Sequence, residues 1–480
     1  MKKLKNLLQW LNDRTGLGDL IGPMAIHPVP PGAKWKYVFG SAVLAVFVLQ
    51  VITGIGLATT YVSSTGGAYQ SLQYITDKAP WGALLRGAHY WGASAMVVLV
   101  VIHLLRVFLT GSYKFPRELN WMSGVLLLGL TLALAFSGQI LRWDQNAVWS
   151  LVVGAEQAGR VPLIGSWLAH FVLGGDVVGA YTLSRVFAVH VFVLPILLVG
   201  LVGLHLQLVL RNGVSEPPKP GSKVDPATYR SEYHDMLQRQ GVPFWPEAAW
   251  RDSVFALAVI LAVLLLAYFV GPAALDNPPD PSLVKALPRP DWYFWWLFAL
   301  LALLPHSLED IIIVLLPLVA GVILLSVPLA SNRGERHPIR RPLAVGMVIF
   351  ALTVIAALTL AGWHENWSPR FDASPLTAEI IGASSGSSYE GATVFNERGC
   401  LYCHTIAGHG GKRGPDLTWV AERLTREQMT LRILNGAYNM PVYGAILSTT
   451  ETDDLLDFLA TRKKQGFVVG ESAEEAGEHR

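Results

Sequence analysis

Two long apolar stretches of this chain each carry two histidines at nearly the same interval. The first runs from about residue 84 to 109 and contains His89 and His103, and the second runs from about 181 to 210 and contains His190 and His205. An apolar stretch of this length predicts a membrane-spanning helix. Ionisable side chains are rare inside such helices and are usually functional. The four histidines therefore favour a helical membrane bundle built around them.

The spacing places both histidines of each stretch on one helix face. The intervals 89–103 and 190–205 are fourteen and fifteen residues, which on an α-helix rise roughly 21–22 Å and return to within roughly 40–60° of the starting direction. One imidazole then lies near each boundary of a hydrocarbon core about 30 Å thick. Two such helices can hold two flat cofactors, each iron bound by one imidazole from each helix. Hydrogen-bonded packing is the competing interpretation, and it explains one histidine better than four at matched spacing.

Glycines repeat at the same interval in two other apolar stretches. Gly40 and Gly54 are fourteen residues apart, as are Gly124 and Gly138. A porphyrin that lies against a helix needs a surface without Cβ atoms, which glycine supplies. Glycine pairs also allow ordinary close packing of helices. Their coincidence with the histidine interval favours haem packing.

With these residues the chain resembles cytochrome b of the cytochrome bc quinol reductases. The resemblance implies that the four histidines are the axial ligands of two b haems, and the fifteen-residue step resembles the chloroplast-type branch. The second and fourth spans run in the same direction, so their first histidines share a level. We therefore expect His89 to pair with His190 at the outer haem and His103 with His205 at the inner haem.

Three further positions take their interpretation from the resemblance, which covers about residues 20–363. Arg86 and Arg106 would meet haem propionates, although either side chain could reach a lipid headgroup instead. Chloroplast-type proteins carry a cysteine near the inner end of the first span for an additional covalent haem. Val38 stands there, so that haem is not expected. The four-span and three-span parts, which are separate chains in chloroplast-type complexes, are continuous here.

Composition agrees with an all-α membrane protein: 52% of the 480 residues are hydrophobic and 15% are charged. A net charge of +2 gives no indication of a nucleic-acid partner. Hydropathy predicts seven spans, near residues 35–61, 84–109, 120–140, 181–210, 253–275, 311–331 and 341–363. The apolar run from Trp292 to Leu304 is too short to span and predicts an interfacial or re-entrant helix.

Loop charge sets the expected topology. The N-terminal segment MKKLKNLLQW is basic and lacks a signal-peptide core, so we expect an amphipathic cytoplasmic surface helix. The loops 106–117 and 332–341 are also basic, as cytoplasmic loops are. Seven spans then place the C-terminus on the outer side of a bacterial inner membrane.

A soluble segment beyond residue 388 contains Cys400-Leu-Tyr-Cys403-His404. This CxxCH motif predicts a covalent c haem, with two thioethers and histidine ligation of the iron. Met440 follows at a distance that fits the distal ligand of a class I cytochrome c, and Met429 is the competing candidate. Covalent haem attachment in bacteria takes place outside the cytoplasmic membrane, which agrees with the topology.

The segment Pro290-Asp291-Trp292-Tyr293 precedes the short aromatic run. A proline-rich loop that leads into an interfacial aromatic belt would explain it without a function. The resembling family has Pro-Glu-Trp-Tyr here, at the border of the quinol-oxidation pocket, and its carboxylate accepts a proton. The resemblance therefore makes Asp291 and Tyr293 catalytic candidates and all four residues quinol-binding candidates. On the other wall, the chloroplast-type form has proline where this chain has Arg142.

The predicted organisation has seven parts. They are an N-terminal surface helix (1–34), a four-span dihaem domain (35–215), a cytoplasmic loop (216–252), a three-span quinol-site domain (253–363), a linker (364–388), a cytochrome c domain (389–462) and a disordered tail (463–480).

The resemblance implies a quinol:cytochrome c oxidoreductase subunit that oxidises quinol outside and reduces quinone inside, with proton translocation. A Rieske cluster needs two cysteines and two histidines, and both cysteines of this chain are committed to haem c. We therefore expect a Rieske partner subunit, a downstream cytochrome c-type acceptor and, by analogy, a homodimeric complex. The alternative is a dihaem relay or dehydrogenase anchor without bifurcated quinol oxidation.

Overall fold

The computed structural model describes residues 2–464 apart from 17, 19–21, 23–24, 160, 176–177, 280–288, 305, 365–373, 411–414, 437–439, 441 and 445. The chain divides into two compact units, each described here by itself. The membrane unit comprises residues 1–174, 179–279 and 288–366, and the C-terminal unit comprises 175–178, 280–287 and 367–480. Residues 365–373 of the predicted linker (364–388) and most of the predicted tail (463–480) lie outside the described residues.

Helices account for nearly all the regular structure of the membrane unit. They are α1 (Lys2–Thr15), α2 (Phe39–Ala58), α3 (Ala68–Asp77), α4 (Gly82–Leu109), α5 (Glu118–Ile140), α6 (Gln145–Gly159), α7 (Gly165–Leu173), α8 (Ala180–Ala188), α9 (Leu194–Asn212), α10 (Tyr229–Gln240), α11 (Ala249–Phe269), α12 (Trp295–Leu303), α13 (His306–Ala330) and α14 (Pro342–His364). Two antiparallel two-residue ladders join β1 (Pro28–Val29) to β3 (Val242–Pro243) and β2 (Lys223–Val224) to β4 (Gly334–Glu335).

Seven of the described helical segments are long and apolar enough to cross a membrane. This confirms the predicted all-α class and the number of spans. The run at Trp292 forms a 3₁₀ turn followed by α12, and it is too short to count among them. The fifth span differs from prediction: it ends at Phe269 because Gly271 adopts a left-handed conformation (φ 81°).

The histidine-bearing helices form a bundle with α2 and α5. Helix α4 packs on α2 and α5, and α9 packs on α5, while α11 covers α2 and α4. Their shared core is formed by apolar side chains that range from Ala42 and Val46 to the larger Met96 and Leu198. Apolar surface alone does not hold helices together in lipid, so close packing of these side chains is what stabilises the contacts.

The fourth span contains a π-helical turn, Val189–Val193, between α8 and α9. Pro195 lies two residues after the turn and has no N–H to continue the regular hydrogen-bond ladder. A π turn holds one more residue than an α turn over a similar rise. It therefore absorbs the extra residue of the fifteen-residue interval, so that His190 and His205 match His89 and His103 in height.

Three basic side chains close one end of the bundle, called here the His103 end. Lys114 donates to the Ser331 carbonyl (2.8 Å), Arg117 to the Gly213 carbonyl (2.8 Å), and Arg341 to the Phe108 carbonyl (2.8 Å). The last carbonyls of a helix lack intrahelical partners and carry partial negative charge. These side chains therefore cap α4, α9 and α13 and join the four-span part to the three-span part.

The opposite end, called the His89 end, is organised around the start of α6. Asp144 accepts the backbone N–H of Ala147 (2.8 Å) and that of Asp276 (3.2 Å). The Asn146 amide pairs with both backbone groups of Arg289, at 2.8 and 2.9 Å. These bonds fix the segment that leads into Asp291 against α6.

The C-terminal unit is a small helical fold. Its described helices are α15 (Ala378–Ile381), α16 (Ser387–Glu397), α17 (Cys400–Cys403), α18 (Arg426–Asn435) and α19 (Thr449–Ala460), with a ladder between β5 (Thr405–Ile406) and β6 (His409–Gly410). Phe395 and Phe458 pack edge to face in the core (5.7 Å). Capping boxes at Thr425 and Ser448 fix the starts of α18 and α19.

Candidate functional sites

His89 and His190 face each other across the bundle, with ring centroids 6.4 Å apart and planes at 78°. An iron between two imidazoles, with metal–nitrogen bonds of about 2 Å, would separate the ring centroids by about 6 Å. The observed gap therefore fits a single metal ion bound by both rings. The predicted pairing places these two residues together at one haem.

Hydroxyl groups determine which nitrogen of each ring is available. Thr53 Oγ1 lies 2.9 Å from His89 Nδ1 and 2.7 Å from the Leu49 carbonyl. Because the hydroxyl proton is donated to that carbonyl, the hydroxyl oxygen accepts Nδ1–H. The neutral ring then carries its lone pair on Nε2, which is the form a metal ligand needs.

The same arrangement occurs at two more histidines. Ser137 Oγ lies 2.9 Å from His190 Nδ1 and donates to the Ala133 carbonyl (2.8 Å). Ser123 Oγ lies 2.8 Å from His205 Nδ1 and donates to a carbonyl at the preceding turn (3.0 Å). Three of the four rings are thus oriented and fixed in one tautomer by a hydroxyl.

Sequence reasoning missed these hydroxyls although a signal was present. Thr53, Ser123 and Ser137 each directly precede one of the predicted haem-packing glycines. At such a position the hydroxyl accepts a hydrogen bond that orients the imidazole ring, and the neighbouring glycine leaves room for that ring because it has no Cβ atom. The pair is therefore a more informative pattern than glycine alone.

All four predicted glycines lie against the four histidines. A Cβ atom would stand 3.2 Å from Cε1 of His103 at Gly40, 3.2 Å from His89 at Gly54, 3.7 Å from His205 at Gly124 and 2.8 Å from His190 at Gly138. Contacts below 3.4 Å are tighter than almost all real Cβ contacts. A larger residue at three of these positions would displace the imidazole.

The two predicted propionate residues differ in their surroundings. Arg106, near His103, stacks on the Tyr37 ring (3.7 Å), and among the described residues its buried Nε and Nη2 atoms have no hydrogen-bond partner. Buried N–H groups without acceptors are costly, and the carboxylate of a haem propionate is the acceptor they fit. Arg86 instead donates to Thr76 Oγ1 (2.9 Å) and the Ala273 carbonyl (2.7 Å).

Asp291 lies at the His89 end and is held by neighbours from α5 and its own turn. Its N–H donates to Gln139 Oε1 (3.1 Å), and the Tyr293 hydroxyl donates to Asp291 Oδ2 (2.8 Å). Gln139 follows Gly138, so Asp291 lies near the level of His190. The structure thus brings the Asp291–Tyr293 pair to the same end as the His89–His190 pair.

Burial dominates the electrostatics of this pair. It raises the pKa of Asp291 above the ordinary carboxyl value, while the Arg142 guanidinium and the Tyr293 hydroxyl oppose the rise. Burial and the neighbouring Asp291 charge raise the pKa of Tyr293. Tyr293 therefore acts as a hydrogen-bond donor, and Asp291 is the group able to exchange a proton.

The neighbouring residues of the motif have structural partners. Trp292 Nε1 donates to Ser94 Oγ on α4 (3.2 Å), and the Pro290 carbonyl accepts from Trp295 Nε1 (2.8 Å). These bonds orient the turn that presents Asp291. Their quinol-binding role stays a prediction.

In the C-terminal unit, α17 brings Cys400 and Cys403 next to His404. His404 Nδ1 lies 2.8 Å from the Pro415 carbonyl, which leaves Nε2 for iron. Met429 is 3% exposed within the core, and Met440 packs against that core while only partly buried. Asn439 and Pro441, which flank Met440, lie outside the described residues.

Three family models match the chain. "Cytochrome b(N-terminal)/b6/petB" matches residues 94–278, "Cytochrome b(C-terminal)/b6/petD" matches 280–378, and "Cytochrome c" matches 388–463. The arrangement is thus an integral membrane cytochrome with a small c-type domain. The chain belongs to the cytochrome b family, and its domains imply haem b and haem c as cofactors.

Individual relatives agree. Cytochrome b6 of Heliobacterium mobile is 40% identical over 212 residues, covering 44% of this chain and 100% of that protein. The menaquinol:cytochrome c reductase cytochrome b subunit of Bacillus subtilis is 38% identical over 222 residues, covering 45% and 99%. Cytochrome b of Allochromatium vinosum is 32% identical over 313 residues, covering 63% and 74%.

A solved structure also resembles this chain. A chain of a hyperthermophilic respiratory complex III superposes with a TM-score of 0.63 at 26% identity, covering 75% of this chain and 91% of that one.

Proposed function

We propose that this chain is the cytochrome b and c subunit of a cytochrome bc complex and oxidises quinol at the His89 end. One observation carries the proposal: Asp291, which accepts from the buried Tyr293, donates its backbone N–H to Gln139, next to the glycine that lies against His190. A proton acceptor and a candidate electron acceptor thus lie at one end of the bundle. Quinol oxidation requires both.

The haem sites follow from the contacts above. Nε2 of His89 and His190 would hold one b haem, and Nε2 of His103 and His205 the other. The glycines and hydroxyls already described would pack and orient them, and Arg106 would bind a propionate. When bound, these haems supply one-electron carriers at two depths of the membrane.

The chain's own residues handle the proton. Asp291, as the carboxylate, accepts a proton from a quinol hydroxyl, and the Tyr293 hydroxyl donates to Oδ2 and keeps the carboxyl oriented. A raised pKa suits this exchange, because a carboxylate whose pKa is raised is a stronger base and takes a proton more readily than an ordinary one. Rotation of the protonated carboxyl toward water would complete release on the outer side.

A second carboxylate, Asp252, favours a quinone site at the His103 end. Ser41 Oγ donates to Asp252 Oδ2 (2.6 Å), and Ser41 directly follows Gly40, which lies against His103. A carboxylate beside the inner haem position could supply protons to a quinone being reduced. Uptake here and release at the other end would move protons across the membrane.

The cysteine content of this chain indicates that another subunit carries the Rieske cluster. A Rieske cluster needs two cysteine and two histidine ligands, and both cysteines lie in the CxxCH motif. A partner subunit would therefore carry the cluster and pass one electron of each quinol to the fused c haem. We place the N-terminus in the cytoplasm, the C-terminal unit outside and the complex in a dimer.

Quinol-driven haem reduction tests this function. In the purified complex, added quinol should reduce the b haems within one turnover, and an inhibitor that competes with quinol at the outer site should slow that reduction. A dihaem relay or dehydrogenase anchor, the alternative, would show reduction that ignores the outer-site inhibitor. That result would refute the proposal. Pyridine haemochrome spectra should give two b haems and one c haem per chain, with only the c haem covalent.

A further inference from the structure

Arg142 lies at the His89 end with a side chain that is 15% exposed, and its hydrogen bonds are not all filled. Its Nε and Nη2 atoms are buried and have no hydrogen-bond partner within the part of the chain that the structure describes. These two nitrogens form one edge of the guanidinium, where the N–H bonds point in parallel and make a fork for oxygen acceptors. Buried N–H groups without acceptors cost free energy, unless a ligand supplies the acceptors.

The nearest carboxylate does not account for this arginine. Arg142 Nε lies 3.7 Å from Asp144 Oδ2, beyond hydrogen-bonding distance. Both oxygens of Asp144 already accept backbone N–H groups, from Ala147 and Asp276. Asp144 therefore balances the charge of Arg142 without filling the fork.

The charge of Arg142 acts on the residues of the proposed quinol site. It interacts electrostatically with Asp291, with Tyr293 and with Tyr90 on α4. Asp291 Oδ2 is taken by Tyr293. An empty cationic fork and a proton-accepting carboxylate thus lie around one region of the His89 end.

We propose that Arg142 binds the quinol oxygen that loses its proton to Asp291 and stabilises the quinolate anion formed there, an inference that rests on the proposed quinol site. In this step the quinol O–H bond breaks and an O–H bond forms on the Asp291 carboxylate. Asp291 becomes neutral and the quinol oxygen takes the negative charge. No electron moves, and the fixed guanidinium faces the charge as it develops.

This assignment separates two tasks at the site. Asp291 is the base, and Arg142 is the electrostatic partner of the conjugate anion. A neutral quinol gains little from a guanidinium, whereas an anion gains a charge-assisted pair of hydrogen bonds. Arg142 should therefore discriminate between anionic and neutral ligands of the same shape.

Ligand binding tests the inference without turnover. The probes are a 3-alkyl-2-hydroxy-1,4-naphthoquinone, which is an anion at neutral pH, and its neutral 2-methoxy analogue. In the purified complex, Arg142→Gln should weaken binding of the anion about tenfold or more, the scale of a lost charged hydrogen bond, and leave the analogue unchanged. Arg142→Lys should recover part of the loss. Equal effects on both probes, or none on either, would overturn the inference.

Turnover measurements provide a second test of the inference. Arg142→Gln should lower the kcat for quinol by about 10- to 1000-fold, as expected for one lost charge-stabilising donor, with a smaller change in KM. The control is Arg185→Gln, an exposed arginine that donates to the Phe171 carbonyl (3.3 Å). A wild-type complex that fails to oxidise quinol would refute the proposed function. Normal wild-type turnover with an unchanged Arg142→Gln rate would refute this inference alone.

Discussion

Gly138 lies so close to His190 that a Cβ atom at this glycine would stand 2.8 Å from Cε1 of the imidazole. Ser137, the preceding residue, accepts Nδ1–H of the same ring (2.9 Å). Two consecutive residues of α5 thus set both the position and the tautomer of a histidine on the neighbouring span. The backbone at this point is part of the proposed outer haem site.

Gly138→Ala should therefore remove one b haem. The new methyl group must displace the imidazole, because a contact below 3.0 Å is not tolerated. The matched control is Gly129→Ala on the same helix, where a Cβ meets nothing within 4 Å. Haem content per chain, measured by pyridine haemochrome, should fall in the first variant and stay normal in the second. Equal content in both would contradict the proposed site.

The second prediction concerns the pairing of the ligands. His205→Leu should remove the inner b haem and leave the outer one reducible by quinol, because His89 and His190 form a separate pair (6.4 Å). Redox-resolved spectra of the membranes distinguish the two haems. Loss of both haems from a chain that still inserts, or loss of the outer haem only, would count against this pairing.

The helix bundle could be predicted from the sequence because its histidines and glycines recur at regular intervals. Apolar length gave the seven spans, and the histidine and glycine intervals identified residues that lie together, such as Gly54 and His89. The histidine interval alone predicts a regular helix for the fourth span, whereas a π turn at Val189–Val193 absorbs the additional residue. Pro195 is the residue in the sequence that indicates this irregularity.

Contacts between distant segments were outside the reach of pattern reasoning. The bonds of Arg117, Arg341 and Lys114 to helix-end carbonyls join residues far apart in the chain. The charge of the basic loops predicts only which side of the membrane they lie on. In the structure, three of their side chains also cap the ends of helices. The unfilled fork of Arg142 likewise appears only when its neighbours are placed in space.

The third prediction concerns the distal ligand of the c haem. Met440→Ala should abolish the near-infrared Fe–S(Met) band and lower the potential of the c haem. Met429→Ala should keep the band and instead destabilise the C-terminal unit, by about 2–5 kcal/mol for a buried methionine, because this side chain is 3% exposed in the core. If the band disappears in Met429→Ala and persists in Met440→Ala, the ligand is Met429.

The fourth prediction is a pH dependence of quinol oxidation. Burial raises the pKa of Asp291, and only the ionised carboxylate can accept the quinol proton. The rate should therefore be full above this raised pKa and should fall as pH drops through it. Arg142→Gln removes a charge that opposes the rise, so its acid limb should move to higher pH. Initial rates at saturating quinol check both statements, and an acid limb that moves to lower pH would contradict them.

The measurement that tests the central claim most directly is the turnover of Asp291→Asn. Asparagine keeps the size of the side chain and removes the base, so quinol:cytochrome c turnover should fall by about 10- to 10⁴-fold, the range for a lost general base. All haems should remain, and Asp291→Glu, which restores the residue usual in the resembling family, should retain much of the activity. Wild-type turnover of Asp291→Asn across pH would show that Asp291 is an ordinary loop residue and would contradict the account.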